Sequence, residues 1–330
     1  MSADADNGGE FDVIKRLFAP LSAAEPGAFN LTDDAAVLTV DAGCDMVLTK
    51  DAMVGGVHFL ENDNPQNIAR KLLRTNLSDI AAMGAKPVAY LLATAWPDSC
   101  NEAWIKVFVQ GLAADQMQYG VTLIGGDTVR TSGPLTLSLT LIGKLPKGQA
   151  LRRCGAQADD LLCVSGTIGD AALGLKVTSG LLDAGAGGGN SFLEKRYFLP
   201  QPRVSLGPAL LGVATSCIDI SDGLLADIAH IATQSGVGME IRQDQIPLSN
   251  AARALIEQKP DLWASIFSGG DDYELAFTVA PENLSEIVKK ADALAETVSI
   301  IGKVTSAGAV VVTGNNGQVV PFEQTGWTHF

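Results

Sequence analysis

The acidic residues of this chain recur in short turns beside glycine, serine or threonine. Six clusters stand out: Thr32-Asp33-Asp34, Thr49-Lys50-Asp51, Asn76-Leu77-Ser78-Asp79, Gly125-Gly126-Asp127-Thr128, Asp219-Ile220-Ser221-Asp222-Gly223, and Ser268-Gly269-Gly270-Asp271-Asp272-Tyr273-Glu274. Carboxylate oxygens are the ligands that hard divalent cations prefer. In two clusters a Gly-Gly pair puts unhindered backbone N–H groups beside a carboxylate, an arrangement suited to a phosphate oxygen and its Mg²⁺ together. Both pairs are expected where a strand gives way to a loop. Taken singly, each cluster is also an ordinary cap or Asx-turn, and Asp222-Gly223 ahead of Leu224–Ile231 reads equally as a helix cap. Asn76, Ser78 and Asp79 fall inside a predicted helix, where such residues are poor formers, so they read either as a local polar network or as part of a site. Only the set as a whole points to nucleotide chemistry with a metal.

Other chemistries find little support. Three histidines (His58, His230, His329) are too few for a histidine-based cluster. Five scattered cysteines (Cys44, Cys100, Cys154, Cys163, Cys217) without a C-x-x-C pair argue against zinc and against a disulfide framework, and read as reduced core residues. Any metal is therefore expected on oxygen ligands, which favours Mg²⁺. The sequence carries no G-x-x-x-x-G-K-[ST], no G-x-G-x-x-G between strand and helix, no kinase H-R-D and D-F-G pair, and no G-x-S-x-G. Nucleotide binding here needs another architecture. The tract Asp183-Ala-Gly-Ala-Gly-Gly-Gly-Asn190 reads as a flexible loop, since no strand leads into it and no lysine follows.

The elements that must position the carboxylates alternate between strand and helix. Ala35–Val40, Met46–Lys50, Val88–Ala95, Val121–Gly125 and Leu135–Ile142 read as strands. Pro65–Met83, with apolar residues at helical spacing, and Glu102–Tyr119 read as helices. Lys144–Ala150 reads as a connector. Beyond it, a second unit opens with a buried-type strand at Leu161–Val164 and a helix from Asp170. Two domains are expected, 1–148 and 149–330.

Composition sets the outer limits. The 330 residues carry 37 acidic and 23 basic side chains, a net charge of −14, and 47% of positions are apolar. Such a chain can bury enough apolar surface to order itself. The acidity argues against nucleic-acid binding, because replacing condensed counterions needs Lys and Arg. Apolar runs near ten residues, such as Pro87–Trp96, fall short of the ~20 needed to cross a bilayer, and Met1–Glu10 lacks the pattern of a secretory signal. We expect a cytoplasmic protein with no membrane or nucleic-acid partner.

One family shares these motifs in this order. Gly9-Glu10-Phe11, D-D-A-A (Asp33–Ala36), T-x-D followed by V-x-G-x-H-F (Val54–Phe59), N-L-S-D-I-A-A-M-G-A-x-P (Asn76–Pro87), I-G-G-D-T (Ile124–Thr128), I-D-I-S-D-G-L (Ile218–Leu224) and G-G-D-D-Y-E-L (Gly269–Leu275) run nearly the whole chain. The sequence resembles the thiamine-monophosphate kinase family, of the aminoimidazole ribonucleotide synthetase and selenophosphate synthetase superfamily. The resemblance implies a two-domain α/β (α+β) fold: an N-terminal α/β domain that binds ATP and Mg²⁺ and pairs with its copy as a homodimer, and a larger C-terminal α/β domain completing the nucleotide and substrate site. It implies transfer of the γ-phosphoryl of ATP to thiamine monophosphate by direct in-line attack, the last step of thiamine diphosphate biosynthesis.

Residue by residue, the resemblance assigns Asp34, Thr49, Asp51, Asp79, Asp127, Asp219 and Asp222 to magnesium, with Asp34, Asp51, Asp127 and Asp222 central to catalysis. It assigns Gly126, Asp127, Arg153 and Ser221 to the nucleotide, and His58, Asp271 and Trp327 to the substrate. Read without the family, His58 between Val57 and Phe59 is more readily structural, and Trp327 reads as a ring anchoring the tail. Three residues depart from the pattern: Thr32 replaces a usual glycine, Asp271 is one methylene shorter than the usual glutamate, and Lys50 replaces Ser or Thr. Lys50 either points to solvent by strand alternation or stands in for a cation. The rivals are another ATP-dependent enzyme of the superfamily and a non-catalytic Mg²⁺ or nucleotide-binding protein. Against the first, the earliest cysteine is Cys44 and the chain ends Trp327-Thr328-His329-Phe330; against the second, EF-hand spacing is absent.

Overall fold

The apolar pattern of period two in Leu137, Leu139 and Leu141 and the helical spacing of Ile68, Leu72, Leu73, Leu77 and Ile80 put all eight side chains out of water. In the computed structural model, which describes residues 10–33, 35–185, 189–306, 308–314, 316–322 and 326, the chain divides into two units. The first comprises residues 1–76 and 87–144, and the second 77–86 and 145–330.

In the first unit, α1 (Glu10–Val13) and short helical turns through Leu31 precede β1 (Cys44–Val54), α2 (Pro65–Ala82), β2 (Lys86–Trp96), α3 (Glu102–Tyr119), β3 (Thr122–Arg130) and β4 (Thr136–Pro146); the end of α2 from Leu77, Lys86 of β2 and the last two residues of β4 count with the second unit. The four strands are ordered β1-β4-β2-β3. Asn101 caps α3 by accepting the Trp104 N–H at 3.0 Å, and Gly120 ends it in the left-handed conformation. Beneath the sheet, Asp115 of α3 is fully buried and takes Arg74 Nε at 2.6 Å and Arg70 Nε at 2.9 Å. The predicted strand at Ala35–Val40 does not form. Val37 N–H pairs with the Gly27 carbonyl, while Val37 and Val40 stay exposed, so the segment gains neither a ladder nor a core face. The strand predicted at Val121–Gly125 instead continues to Arg130, carrying Gly125–Thr128 inside it. The predicted connector from Lys144 begins as the end of β4.

The second unit holds β5 (Leu161–Ser165), α4 (Asp170–Thr178), α5 (Gly189–Phe198), α6 (Leu206–Ala209), β6 (Ala214–Asp219), α7 (Leu224–Ser235), β7 (Gly238–Arg242), α8 (Asn250–Gln258), α9 (Trp263–Ser268), β8 (Leu275–Val279), α10 (Leu284–Ala293), β9 (Val298–Thr305), β10 (Val310–Thr313) and β11 (Val319–Val320). The sheet order is β11-β10-β7-β9-β5-β8-β6. Only β10 and β7 pair in parallel among the described ladders of this sheet. Both faces are covered: Leu162, Val164, Ile218 and Met239 pack with Leu224, Ile228, Leu255 and Phe267, while Cys163, Cys217 and Phe277 pack with Leu206 and Ile287. Burial on two faces explains why these strands read as unbroken apolar runs. No cysteine is paired, and Cys44 and Cys154 are only half-buried, not core as expected. No described helix is long and apolar enough to cross a membrane.

Candidate active site

In the first unit, strand alternation separates Lys50 from its neighbours. Leu48, Lys50 and Ala52 are exposed on one face of β1, while Thr49 and Asp51 are half-buried on the other. The alternative in which Lys50 stands in for a cation beside Asp51 is thereby disfavoured. Asp51 is fixed to α2: its N–H donates to Asn76 Oδ1 at 3.2 Å, and Asn76 Nδ2 donates to the Leu72 carbonyl at 2.9 Å. Burial holds the Asp51 carboxyl above the usual carboxylate range, with the Thr75 hydroxyl pulling the other way. His58 closes the turn after β1. Its Nδ1 accepts the Val54 N–H at 3.0 Å, which keeps Nδ1 unprotonated and leaves the ring proton on Nε2.

On β3 the first Gly-Gly pair follows an irregularity. The register with β2 shifts between Tyr90 and Leu91, so that Leu91 pairs with Gly125 and Leu92 with Gly126. Gly126 lies so close to β2 that a Cβ would collide with the Leu92 carbonyl. The glycine is thus required for close strand approach. Asp127 follows, its side chain exposed and its Oδ1 accepting the Thr128 N–H at 2.9 Å.

In the second unit, the loop after β6 and the loop before β8 are bonded together. Asp219 ends β6 and is buried. The Ile220 N–H donates to the Glu274 carbonyl at 2.8 Å, Tyr273 N–H to Ile220 at 2.8 Å, and Asp271 N–H to Ser221 at 2.9 Å. Gly269 N–H donates to Ser265 at 3.0 Å. The Gly269 and Asp271 amides are therefore spent inside the protein and do not form the predicted phosphate cradle. Nor does this Gly-Gly pair lie between strand and loop: it joins α9 to β8.

The G-G-D-D-Y-E-L segment alternates sharply. Asp272 and Glu274 are buried, whereas Asp271 and Tyr273 are half-buried with φ of 72° and 52°. Two non-glycine residues in this region store strain, which proteins concentrate at functional sites. The Tyr273 hydroxyl donates to Asp271 Oδ1 at 3.1 Å. Asp272 Oδ2 accepts the Gly169 N–H at 2.6 Å, just before α4, and burial pushes its carboxyl up to about 8. Glu274 takes Ser165 Oγ at 2.6 Å, Arg196 at 2.8 Å and Arg203 at 2.5 and 2.6 Å. These inward residues anchor the loop that displays Asp271.

Two family models match, described as AIR synthase related protein, N-terminal domain, over residues 32–145, and its C-terminal domain over 157–315. A thiamine-monophosphate kinase of Caulobacter vibrioides is 44% identical over 97% of this chain and 90% of its own length. The chain belongs to the thiamine-monophosphate kinase family. The crystal structure of the thiamine-monophosphate kinase from Stenotrophomonas maltophilia superposes with a TM-score of 0.81 at 40% identity, covering 88% of this chain and 91% of that one. AaThiL complexed with AMPPCP and TMP gives 0.77 at 28% identity, covering 93% and 98%.

The residues assigned by resemblance to thiamine-monophosphate kinases fall as follows. Thr49, Asp51, His58, Gly126 and Asp127 lie in the first unit, and Asp79, Arg153, Asp219, Ser221, Asp222 and Asp271 in the second. Asp34 and Trp327 lie outside the described residues. A Cβ added at Gly326 would meet Ala226 and the Asp222 carbonyl, so Gly326 itself lies beside the start of α7. Arg153 is exposed; the Arg152 carbonyl before it accepts the Cys217 N–H of β6 at 2.8 Å. Among the described residues, no three His, Cys, Asp or Glu side chains converge to hold a metal. The donor chemistry nonetheless fits a hard cation: Asp51, Asp127 and Asp222 make no ion pair with any described basic side chain. For the half-buried Asp51 and Asp222, a partly enclosed carboxylate without a counter-charge is costly, and a divalent ion removes that cost, while the exposed Asp127 is open to the same ion.

Sequence reasoning missed Asp227, Arg196 and Arg203, and it placed Asp272 and Glu274 in a carboxylate cluster without seeing that they are buried anchors. The signal for Asp227 was present as one acid within the apolar run Leu224–Ile231, and the signal for Asp272 and Glu274 as acids two apart entering a buried strand.

Proposed function

We propose that this protein transfers the γ-phosphoryl group of ATP to thiamine monophosphate, giving thiamine diphosphate and ADP. The observation that carries this reading is 44% identity over nearly the whole chain to a thiamine-monophosphate kinase, together with the structural match to AaThiL complexed with AMPPCP and TMP. Mg²⁺ would be held by Asp34, Thr49, Asp51, Asp79, Asp127, Asp219 and Asp222, with Asp34, Asp51, Asp127 and Asp222 nearest the chemistry. Bound there, it would neutralise the phosphate charges that otherwise keep donor and acceptor apart.

The acceptor is a phosphate monoester already ionised near pH 7, so no strong general base is needed and transfer is direct and in line. Gly126, Asp127, Arg153 and Ser221 bind the nucleotide, Arg153 with a guanidinium fork matched to phosphate oxygens. His58, Asp271 and Trp327 bind the substrate; the Nε2–H that the Val54 amide imposes on His58 makes that ring a donor. We assign residues 1–148 to ATP and Mg²⁺ binding and dimerisation, and 149–330 to completing the site. The homodimer reading is supported by the exposed Leu48, Leu91 and Val129 on the first sheet. The protein acts in the cytoplasm, with no nucleic-acid or membrane partner.

Incubation with ATP, Mg²⁺ and thiamine monophosphate should yield thiamine diphosphate and ADP in equal amounts. ADP without thiamine diphosphate, or a labelled phosphoenzyme trapped from γ-labelled ATP, would overturn the substrate or the direct mechanism respectively.

A further inference from the structure

The loop Ser221–Gly223 carries a nucleotide contact and a metal carboxylate, yet few packed side chains secure it: Ser221 and Asp222 are only half-buried. Its three successive amides are all held by one atom. Asp227 Oδ2 accepts the N–H groups of Ser221 at 3.0 Å, Asp222 at 3.0 Å and Gly223 at 3.2 Å. Asp227 itself is 3% exposed and sits in the first turn of α7, so its carboxylate is held by the helix it belongs to. Three successive amides aimed at one point would otherwise form an anion-binding nest. The protein fills that nest with its own carboxylate, which leaves the loop no free backbone N–H there for a phosphate but spares its carbonyls.

Those carbonyls are used. Ser221 and Ile220 accept the N–H groups of Asp271 and Tyr273, so the metal loop in turn sets the substrate loop. The spacing is tight: a Cβ on Gly223 would stand 2.9 Å from the Ser268 carbonyl. A shift of the Asp227 oxygen therefore moves Ser221 and Asp222 directly and Asp271 through them.

We propose that Asp227 is a positioning residue for phosphoryl transfer, fixing Ser221 and Asp222 for the Mg²⁺-nucleotide and Asp271 for the acceptor. The proposal rests on the reading that Asp222 is a magnesium ligand. The blander role, capping α7, makes a different prediction. A cap tolerates glutamate, whose longer side chain reaches back to the same amides in many helices. A positioning group does not, because one added methylene displaces the loop.

Three variants in the full-length enzyme test this, each with thermal unfolding, kcat, and the Mg²⁺ concentration for half-maximal rate. Asp227→Asn keeps an acceptor oxygen in place and should stay within about threefold of the parent in both kinetic quantities. Asp227→Glu should fold yet need roughly 10- to 100-fold more Mg²⁺ or lose that much in kcat, the range for groups that orient metal ligands. Asp227→Glu with parental kinetics overturns the proposal, as does Asp227→Asn losing as much as Asp227→Glu. Failure of Asp227→Glu to fold, beside an Asp227→Asn enzyme that folds and is parental, also overturns it in favour of a structural role. Asp222→Asn is the control: if it leaves the Mg²⁺ requirement unchanged, the ligand assignment itself has failed, whatever the Asp227 variants do.

Discussion

The two glycines of Gly125-Gly126 should respond very differently to a single added methyl group. At Gly126 a Cβ would stand 2.7 Å from the Leu92 carbonyl carbon and 3.0 Å from the Leu92 nitrogen, and closer still to the carbonyl oxygen. Carbon atoms rest about 3.5 Å apart, so the carbonyl carbon alone demands roughly 0.8 Å, and the closer oxygen pushes the retreat of β3 from β2 beyond about 1 Å. The obstacle is backbone, and it cannot rotate away. At Gly125 the nearest atom is Leu91 Cδ2 at 3.0 Å, the far end of a side chain that is 39% exposed and able to turn aside. Because Asp127 follows directly, Gly126→Ala displaces its carboxylate by an amount comparable to the shift of the strand. A misplacement near 1 Å costs about 10²-fold in rate. We expect kcat for thiamine diphosphate formation to fall roughly 30- to 100-fold in Gly126→Ala, with about 1–3 kcal/mol lost in stability from overpacking. Gly125→Ala should remain within about threefold of the parent. Coupled ADP detection with direct quantification of thiamine diphosphate measures the rates, and urea unfolding the stability. Equal effects in the two variants, or parental kcat in Gly126→Ala, would refute the reasoning.

Further outcomes are expected elsewhere. Asp272 has a carboxyl near 8 in the folded protein against 3.8 as its ordinary value, so between those pH values the folded state keeps a proton that the unfolded chain has released. Its contribution to stability is present below about pH 4 and is lost as pH rises through about 8, by up to ~1.4 kcal/mol per unit. Asp272→Asn should flatten the decline in urea midpoint between about pH 5 and pH 8; an unchanged decline would contradict it. Asp115→Ala strands Arg74 beneath the first sheet without its carboxylate, which should cost about 3–5 kcal/mol in denaturant unfolding. A loss below about 1 kcal/mol would mean the pair is dispensable. Lys50→Thr should leave the Mg²⁺ dependence of the rate unchanged, since Lys50 and Asp51 lie on opposite faces of β1; a shifted dependence would place the ammonium in the cluster after all.

The sequence by itself determined the family, the two-domain α/β (α+β) layout and most element positions, because motif order and apolar periodicity are local properties of the chain. Glu102–Tyr119 is a helix with the predicted bounds, and Leu161–Val164 lies within a strand buried on both faces. Which groups hold the display loops in place was decided only by tertiary structure. Asp227 meets the Ser221 amide six residues away, and Glu274 meets Ser165 across 109 residues and Arg196 across 78. Sequence could not tell that both Gly-Gly-Asp segments need close backbone approach, because glycine permits a cradle as well; the strand at Leu92 beside Gly126 and the carbonyl of Ser221 beside Gly270 impose it. Strand alternation left two orientations for Lys50, and which side of β1 is covered settled it. Spacing tells which residues share a face, while burial and hydrogen bonding, which depend on what packs there, tell what that face does.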